Sequence, residues 1–217
     1  MTDIHDVLQW PAGLGWIVLS GGKVPGSVIR AQVLRRGNEN GGVAYIGLTE
    51  TTTDATLDDM EDLGAPTGYL VNVTTEDDDT IREQIKDASI VVVDASETAD
   101  DLRNSLLGAG VDGIRLAYEK GAVIFFEGTS ASLLGEYVPS NEAGFRKGLS
   151  WLENTLILSD VTSLRDSPEA QRLLDAKTDA VVIGVGLGSA LVLGPGGLIE
   201  IWGKREVTIA LGRDFSQ

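Results

Sequence analysis

A chain of 217 residues with 42% hydrophobic positions is long enough to bury one sizeable core, and its lack of cysteine excludes disulfides, thiolate metal sites and cysteine nucleophiles. Its 33 acidic against 17 basic residues give a formal net charge of −16, which repels nucleic-acid phosphates and anionic lipid and favours neutral or cationic partners. No window is apolar enough to cross a bilayer and the acidic start MTDIHDVLQW lacks a signal-peptide pattern, so a cytoplasmic protein with a single domain over 1–217 is expected.

In chain order, GWIVLSGG (Gly15 to Gly22) reads as a buried strand, and Ser27 caps a helix with Val28, Ile29, Val33 and Leu34 on its apolar side. GVAYIGLT reads as a second strand, TTDATLDDMEDLG as a helix stopped by Gly64, and TGYLVNVT as a third strand. Thr80 and Glu83 have capping-box spacing, which predicts a short helix over TIREQIKDA before the strand SIVVVDAS. The β-branched run in that strand implies burial on both faces, a property of parallel sheets. Thr98 to Lys120 is expected to be helical with an interruption near Gly108 and Gly110, followed by the strand AVIFFEGT.

Further on, TLILSDV reads as a strand and Ser167-Pro168-Glu169 as the start of the helix PEAQRLLDA. The glycine-punctuated stretch from Ala180 to Leu211 predicts β-hairpins. Together these elements predict an α/β fold, a three-layer αβα arrangement around a mostly parallel, doubly wound sheet with antiparallel C-terminal strands.

The most specific local signal is AVIFFEGTSASLLGEYV, a buried strand running into Gly128, Thr129, Ser130, Ala131 and Ser132 and then, on this reading, into a helix. That is the shape of a nucleophile elbow, which raises one side chain above the C-terminal edge of the sheet on a strained turn and aims the next backbone N–H at a developing oxyanion. Ser130 is the candidate nucleophile, with a strained or positive φ expected, and Ala131 supplies the candidate N–H.

Here the chain resembles the cyanophycinase and aspartyl dipeptidase (peptidase E) family of serine peptidases, whose elbow reads Gly-Thr-Ser-Ala-Gly. The resemblance extends to LSGG at Leu19 to Gly22, to VVVDAS, and to the closing strands SALVLGPGGLIEIWGKREVTIAL. It implies a class I glutamine amidotransferase-like fold with Ser130 at the nucleophile position. It also implies an oxyanion hole drawn from Ala131, Ala95 and Ser96, and a pocket drawn from Gly21, Gly22, Asp94, Gly128, Thr129, Ser132 and Asp160. Because the family often pairs subunits and the C-terminal strands are apolar, a homodimer is expected, with a small-molecule or peptide ligand and no cofactor or metal.

Several positions depart from the family pattern. Its catalytic histidine follows a strand that reads Ile157-Leu158-Ser159-Asp160-Val161 here, which puts Val161 or a neighbour in the histidine's place. The chain's one histidine is His5, ahead of the first strand. The Gly-Gly turn of the family is Ala95-Ser96, the last elbow glycine is Ser132, and the acidic position before the closing strands falls in Gly186-Leu187-Gly188. A serine hydroxyl without a base is a poor nucleophile, and an ordinary aspartate such as Asp160, with a pKa of about 3.9, is too acidic to serve.

The expectation is therefore a catalytically inactive or impaired homologue that retains a ligand or partner site. The alternatives are an active serine hydrolase with an unrecognised base and a structural subunit of a larger assembly. On this reading Ser130→Ala leaves stability nearly unchanged. Gly184, Gly186 and Gly188 do not make a dinucleotide loop, because further strands follow them, and Glu76 to Asp79 lacks the ligand spacing of a calcium loop. The four tryptophans are expected to pack in the core or at an interface.

Overall fold

In the computed structural model, which describes residues 7–25, 27–38, 41–48, 50–94, 99–140 and 144–216, strands and helices alternate through the first half of the chain. The order is β1 (Trp16–Ser20), α1 (Val28–Arg36), β2 (Val43–Ile46), α2 (Glu50–Asp62), β3 (Gly68–Val71), α3 (Asp78–Lys86) and β4 (Ile90–Val93). Next come α4 (Ala99–Leu106), α5 (Ala109–Glu119) and β5 (Val123–Glu127). The expected break lies between α4 and α5, where Gly108 adopts φ 90°. Ser27 caps α1 by accepting from the Arg30 N–H, and Ser167 caps α6 (Pro168–Ala176) in the same way. The cap of α3 is Asp77 rather than Thr80, because its carboxylate accepts from the N–H groups of both Asp79 and Thr80.

Seven strands form the central sheet in the order β11-β10-β1-β5-β4-β2-β3. The pairs from β1 to β3 are parallel, while β10 (Ser189–Leu193) and β11 (Ile199–Gly203) add antiparallel. One face carries Val18, Tyr45, Val92 and Phe125, packed against α1 and α2 through Ile29, Val33 and Met60. The other carries Leu19, Ile46, Val93 and Phe126, packed against residues of α3, α4 and α5. Continuous apolar runs on β4 and β5 are what burial on two faces demands. The chain is thus an α/β protein with parallel-dominated sheets and flanking helices, as the element pattern predicts.

The second half differs from the simple expectation of hairpins on one sheet edge. Residues Gly128–Leu134 form a 3₁₀ segment, and the chain then enters a strand, β6 (Gly135–Pro139), instead of a helix. With β7 (Phe145–Lys147), β8 (Leu152–Ser159), β9 (Val181–Val185) and β12 (Val207–Leu211), it builds a five-stranded sheet in the order β12-β9-β8-β6-β7. Ile157, Val181, Ile183 and Val185 share the core on the β1 to β5 side, while Leu156, Leu158 and Val182 pack with Leu173 of α6. Gly184 sits in β9, where a Cβ would meet the Val161 carbonyl oxygen at 2.9 Å, while Gly186 and Gly188 fall in the turn to β10, so the glycine run is strand and turn rather than a loop before a helix.

Candidate functional site

The parallel strands deliver their C-terminal ends to one edge: Ser20 and the Gly21-Gly22 turn from β1, Asp94 after β4, and Glu127-Gly128-Thr129-Ser130 after β5. Ligands of open α/β sheets bind along such an edge. The Gly21-Gly22 turn is tightly packed, since a Cβ on Gly21 would stand 2.2 Å from the Gly186 carbonyl oxygen and one on Gly22 would meet Leu187. Glycine is therefore required at Gly21 by the backbone of the 185–187 loop, whereas at Gly22 only the flexible Leu187 side chain would have to move.

The elbow segment leaves β5 through Gly128, which takes φ 66°. Ser130 does not have the expected positive φ, because the glycine before it absorbs the left-handed step and the chain continues as a 3₁₀ turn. In that turn the Ser130 side chain points inward and is 1% exposed. Its hydroxyl donates toward the Val93 carbonyl at 2.8 Å and the Glu127 carbonyl at 3.0 Å. Thr129 is the exposed hydroxyl of the turn. Ala131 is fully buried, and the Ser132 hydroxyl donates to the Thr129 carbonyl at 2.8 Å.

Beside this turn lies a buried charge network that sequence reasoning missed. Glu127 and Arg30 are almost wholly buried, and they meet in a bidentate pair with Nε to Oε1 at 3.1 Å and Nη2 to Oε2 at 2.6 Å. Arg30 also reaches Asp59 of α2 at 2.5 Å. Burial pushes the Glu127 carboxyl above the usual carboxylate range, the Arg30 guanidinium pulls it back, and nearby Asp94 adds to the rise. Asp94 itself is buried, pairs with Lys23 at 2.5 Å and accepts from the Thr56 hydroxyl at 3.2 Å. The available signal was a lone Glu closing an apolar strand and a lone Arg on the inner side of α1, but their pairing spans 97 positions of sequence.

The segment after β8, where the resemblance places the family's histidine only as an expectation, also closes on the elbow. The Ser159 hydroxyl donates to the Gly128 carbonyl at 2.5 Å, Asp160 turns the chain with φ 57°, and Val161 returns to β9 by donating its N–H to the Val185 carbonyl. Of the predicted site residues, the structure thus brings together Asp94, Gly128, Thr129, Ser130, Ala131 and Ser132, with Asp160 next to Ser159 and the Gly21-Gly22 turn directly after Ser20. Ala95, Ser96 and His5 lie outside the described residues. Among the described residues no cluster of acidic or imidazole groups could hold a metal ion, and no helix is long and apolar enough to cross a membrane.

The architecture and the position of this edge define a peptidase E-like, class I glutamine amidotransferase-like fold. Two solved structures carry that statement. A peptidase from an acI-B1 Actinobacterium matches with a TM-score of 0.75 at 19% identity, covering 92% of this chain and 91% of that one. A putative peptidase E protein from Listeria monocytogenes EGD-e matches with a TM-score of 0.66 at 13% identity, covering 87% of this chain and 98% of that one. At such identities the likeness is one of fold. No protein-family model and no curated protein matches the sequence.

Proposed function

We propose that this chain is a catalytically silent relative of the peptidase E-like serine peptidases, acting by binding a ligand or partner rather than by cleaving a peptide. The observation that carries this reading is the Ser130 hydroxyl, which is buried and directed at two backbone carbonyls. A carbonyl oxygen accepts a hydrogen bond but does not take the proton, so neither partner can serve as the base that a nucleophilic serine needs. Burial adds a second obstacle, because an attacking Oγ must come within about 3–3.5 Å of the scissile carbonyl carbon. The buried Arg30–Glu127 pair and the ion pair between exposed Lys23 and buried Asp94, at the same edge, act as structural ties between β1, α1, β4 and β5.

A binding role is supported by an open cleft of about 800 Å³ between the start of α1 and β11, lined in part by Val28, Ile201, Trp202, Lys204 and Arg205. Its apolar floor, with Lys204 and Arg205 beside a Glu200 already held by Arg36 and Trp202, suits a small ligand or peptide carrying a carboxylate. The test is reaction with a fluorophosphonate probe followed by mass mapping, together with assays on β-Asp-Arg and Asp-X dipeptides. No adduct on Ser130 and no cleavage are expected. Stoichiometric labelling of Ser130, or cleavage abolished by Ser130→Ala, would overturn the proposal.

A further inference from the structure

The cleft between α1 and β11 runs along a free strand edge. β11 ends the central sheet, and the Lys204 N–H donates to the Gly188 carbonyl at 3.0 Å while the Gly194 N–H donates to that of Leu198 at 2.7 Å. Alternation along the antiparallel ladder then turns the backbone groups of Glu200 and Trp202 towards β10 as well. The N–H and C=O groups of Ile199 and Ile201 point away from the sheet, where no strand among the described residues meets them. Such an edge is a template for one more strand.

The facing wall comes from α1. Val28, 62% exposed, and Gln32 stand one turn apart on it, and both line the cleft with Ile201 and Trp202. The Gln32 Oε1 is buried and has no hydrogen-bond partner among the described residues, so it is an acceptor left for a donor that enters the cleft. Positive charge gathers at one end. The turn after β11, with Gly203 at φ 71° and Arg205 at φ 65°, holds exposed Lys204 and Arg205 at the cleft. α1 begins at the same end, with Ile29 beside Gly203, and has no acidic residue in its first turn. Of the nearby acids, Glu200 is held by Arg36 at 2.9 Å and by the Trp202 indole at 2.7 Å, and the Glu206 carboxylate lies over Gly186 beyond β9. The chain's net charge of −16 acts against a strongly acidic ligand, so the carboxylates that fit are few and confined to this end.

We propose that this edge binds an extended peptide segment as an eighth strand, antiparallel to β11, with the segment's carboxylate-bearing N-terminal end at Lys204 and Arg205. The proposal rests on the binding role given above to the cleft and names its occupant. In the antiparallel orientation the peptide residues opposite Ile199 and Ile201 each exchange two hydrogen bonds with β11. Directly opposed residues project to the same face, and Trp202 packs with Ile29 and Val33 of α1, so the side chains opposite Glu200 and Trp202 enter the cleft. A small apolar side chain there covers Val28, and a hydroxyl beside it can donate to Gln32. The backbone bonds hold the segment, and the inward side chains with the carboxylate end select it.

Calorimetric titration with the peptide acetyl-Glu-Glu-Ser-Val-Ile-Thr-Val-amide tests the register, its Ile lying opposite Ile201. One-to-one binding is expected. N-methylation of that Ile, whose N–H is aimed at β11, should weaken binding at least about tenfold, whereas N-methylation of the Val before it, whose N–H faces away, should change Kd less than about twofold. Replacing Lys204 and Arg205 together by Ser should weaken binding about tenfold and flatten its salt dependence. Ile201→Pro removes an outward N–H that an end strand can spare and should abolish binding. No heat of binding at about 1 mM peptide would overturn the proposal. Equal binding of the N-methyl-Ile peptide would overturn it too, leaving a carboxylate site without strand addition. An Ile201→Pro variant that turns a dimeric parent into a monomer would assign the edge to a second copy, with the same consequence. The two methylated peptides keep the test valid on the unaltered protein if Ile201→Pro does not fold. Cleavage of the peptide, read by mass spectrometry of the mixture, would instead overturn the reading of Ser130 as silent while leaving the strand register to the methylated pair.

Discussion

Removing Arg30 should expose how much of the site edge rests on one buried ion pair. Arg30→Met keeps the length and apolar stem of the side chain but leaves Glu127, itself 1% exposed, without the guanidinium that binds both its oxygens. Breaking a buried pair from one side costs about 3–5 kcal/mol, because the remaining charge is neither solvated nor neutralised. Glu127→Leu should cost less, since Arg30 keeps Asp59 at 2.5 Å and Asp59 is partly open to water. The double variant should be more stable than either single one, as replacing a buried pair with apolar groups is often neutral. Urea unfolding followed by tryptophan emission measures all three. With a slope of about 2–3 kcal/mol/M, Arg30→Met should lower the midpoint by roughly 1–2 M.

Acid gives the same experiment a second axis. The folded-state pKa of Glu127 is raised above its unfolded value, so its contribution to stability is fully present below the unfolded pKa and is lost as pH rises through the folded one. Loss of Arg30 raises that pKa further, so the deficit of Arg30→Met should shrink as the pH is lowered from 7 towards 5. A loss below about 1 kcal/mol for Arg30→Met, or a double variant less stable than both singles, would refute the view that this pair is isolated from water and coupled.

Ser130→Ala should destabilise the protein by about 1 kcal/mol in the same urea assay, because it removes a buried hydroxyl donor from the Val93 carbonyl. This differs from the sequence-based expectation of a nearly unchanged stability, and a stability within error of the parent would mean that the hydroxyl is not structural. Glu200 behaves oppositely to Glu127: the Trp202 indole N–H at 2.7 Å and Arg36 hold its carboxyl below the usual range. Its contribution is present above the unfolded pKa of about 4.3 and lost as pH falls through the folded value, so Trp202 emission should change in that acid window and Glu200→Gln should abolish the change.

The parallel half of the fold is legible because its signals are local. The β-branched run of β4, the caps at Ser27 and Ser167 and the Gly108 break each act within a few residues, and each stands where the pattern puts it. The second sheet is less legible. β6 reads Gly-Glu-Tyr-Val-Pro and β7 only Phe-Arg-Lys, and both owe their strand state to pairing with partners rather than to propensity. The Arg30 to Glu127 pair is illegible for a related reason: nothing near either residue specifies the other. The tryptophans fall between these cases. Trp151 and Trp202 are buried in the core as expected, and Trp16 and Trp202 also flank Arg36, whose guanidinium carbon lies 3.9 Å from one ring centroid and 5.3 Å from the other, a contact that only the fold creates.

On the proposed reading, the elbow sequence keeps a motif's form for reasons other than its chemistry. A buried strand that must leave a sheet abruptly needs a residue tolerant of positive φ, and Gly128 supplies it at 66°. The parallel ladder ends at that point, leaving carbonyls of β4 and β5 without strand partners, and a small hydroxyl residue two positions later reaches both Val93 and Glu127. Ser159, arriving from β8, meets the Gly128 carbonyl from the other side. Around the elbow the hydroxyls of Ser130, Ser132 and Ser159 are thus accounted for by backbone carbonyls, while Thr129 faces solvent. Catalysis asks for more than this geometry: an exposed oxygen, and a base whose pKa lies near the operating pH. Gly-Thr-Ser satisfies the turn on its own, so it discriminates a fold edge well and a nucleophile poorly.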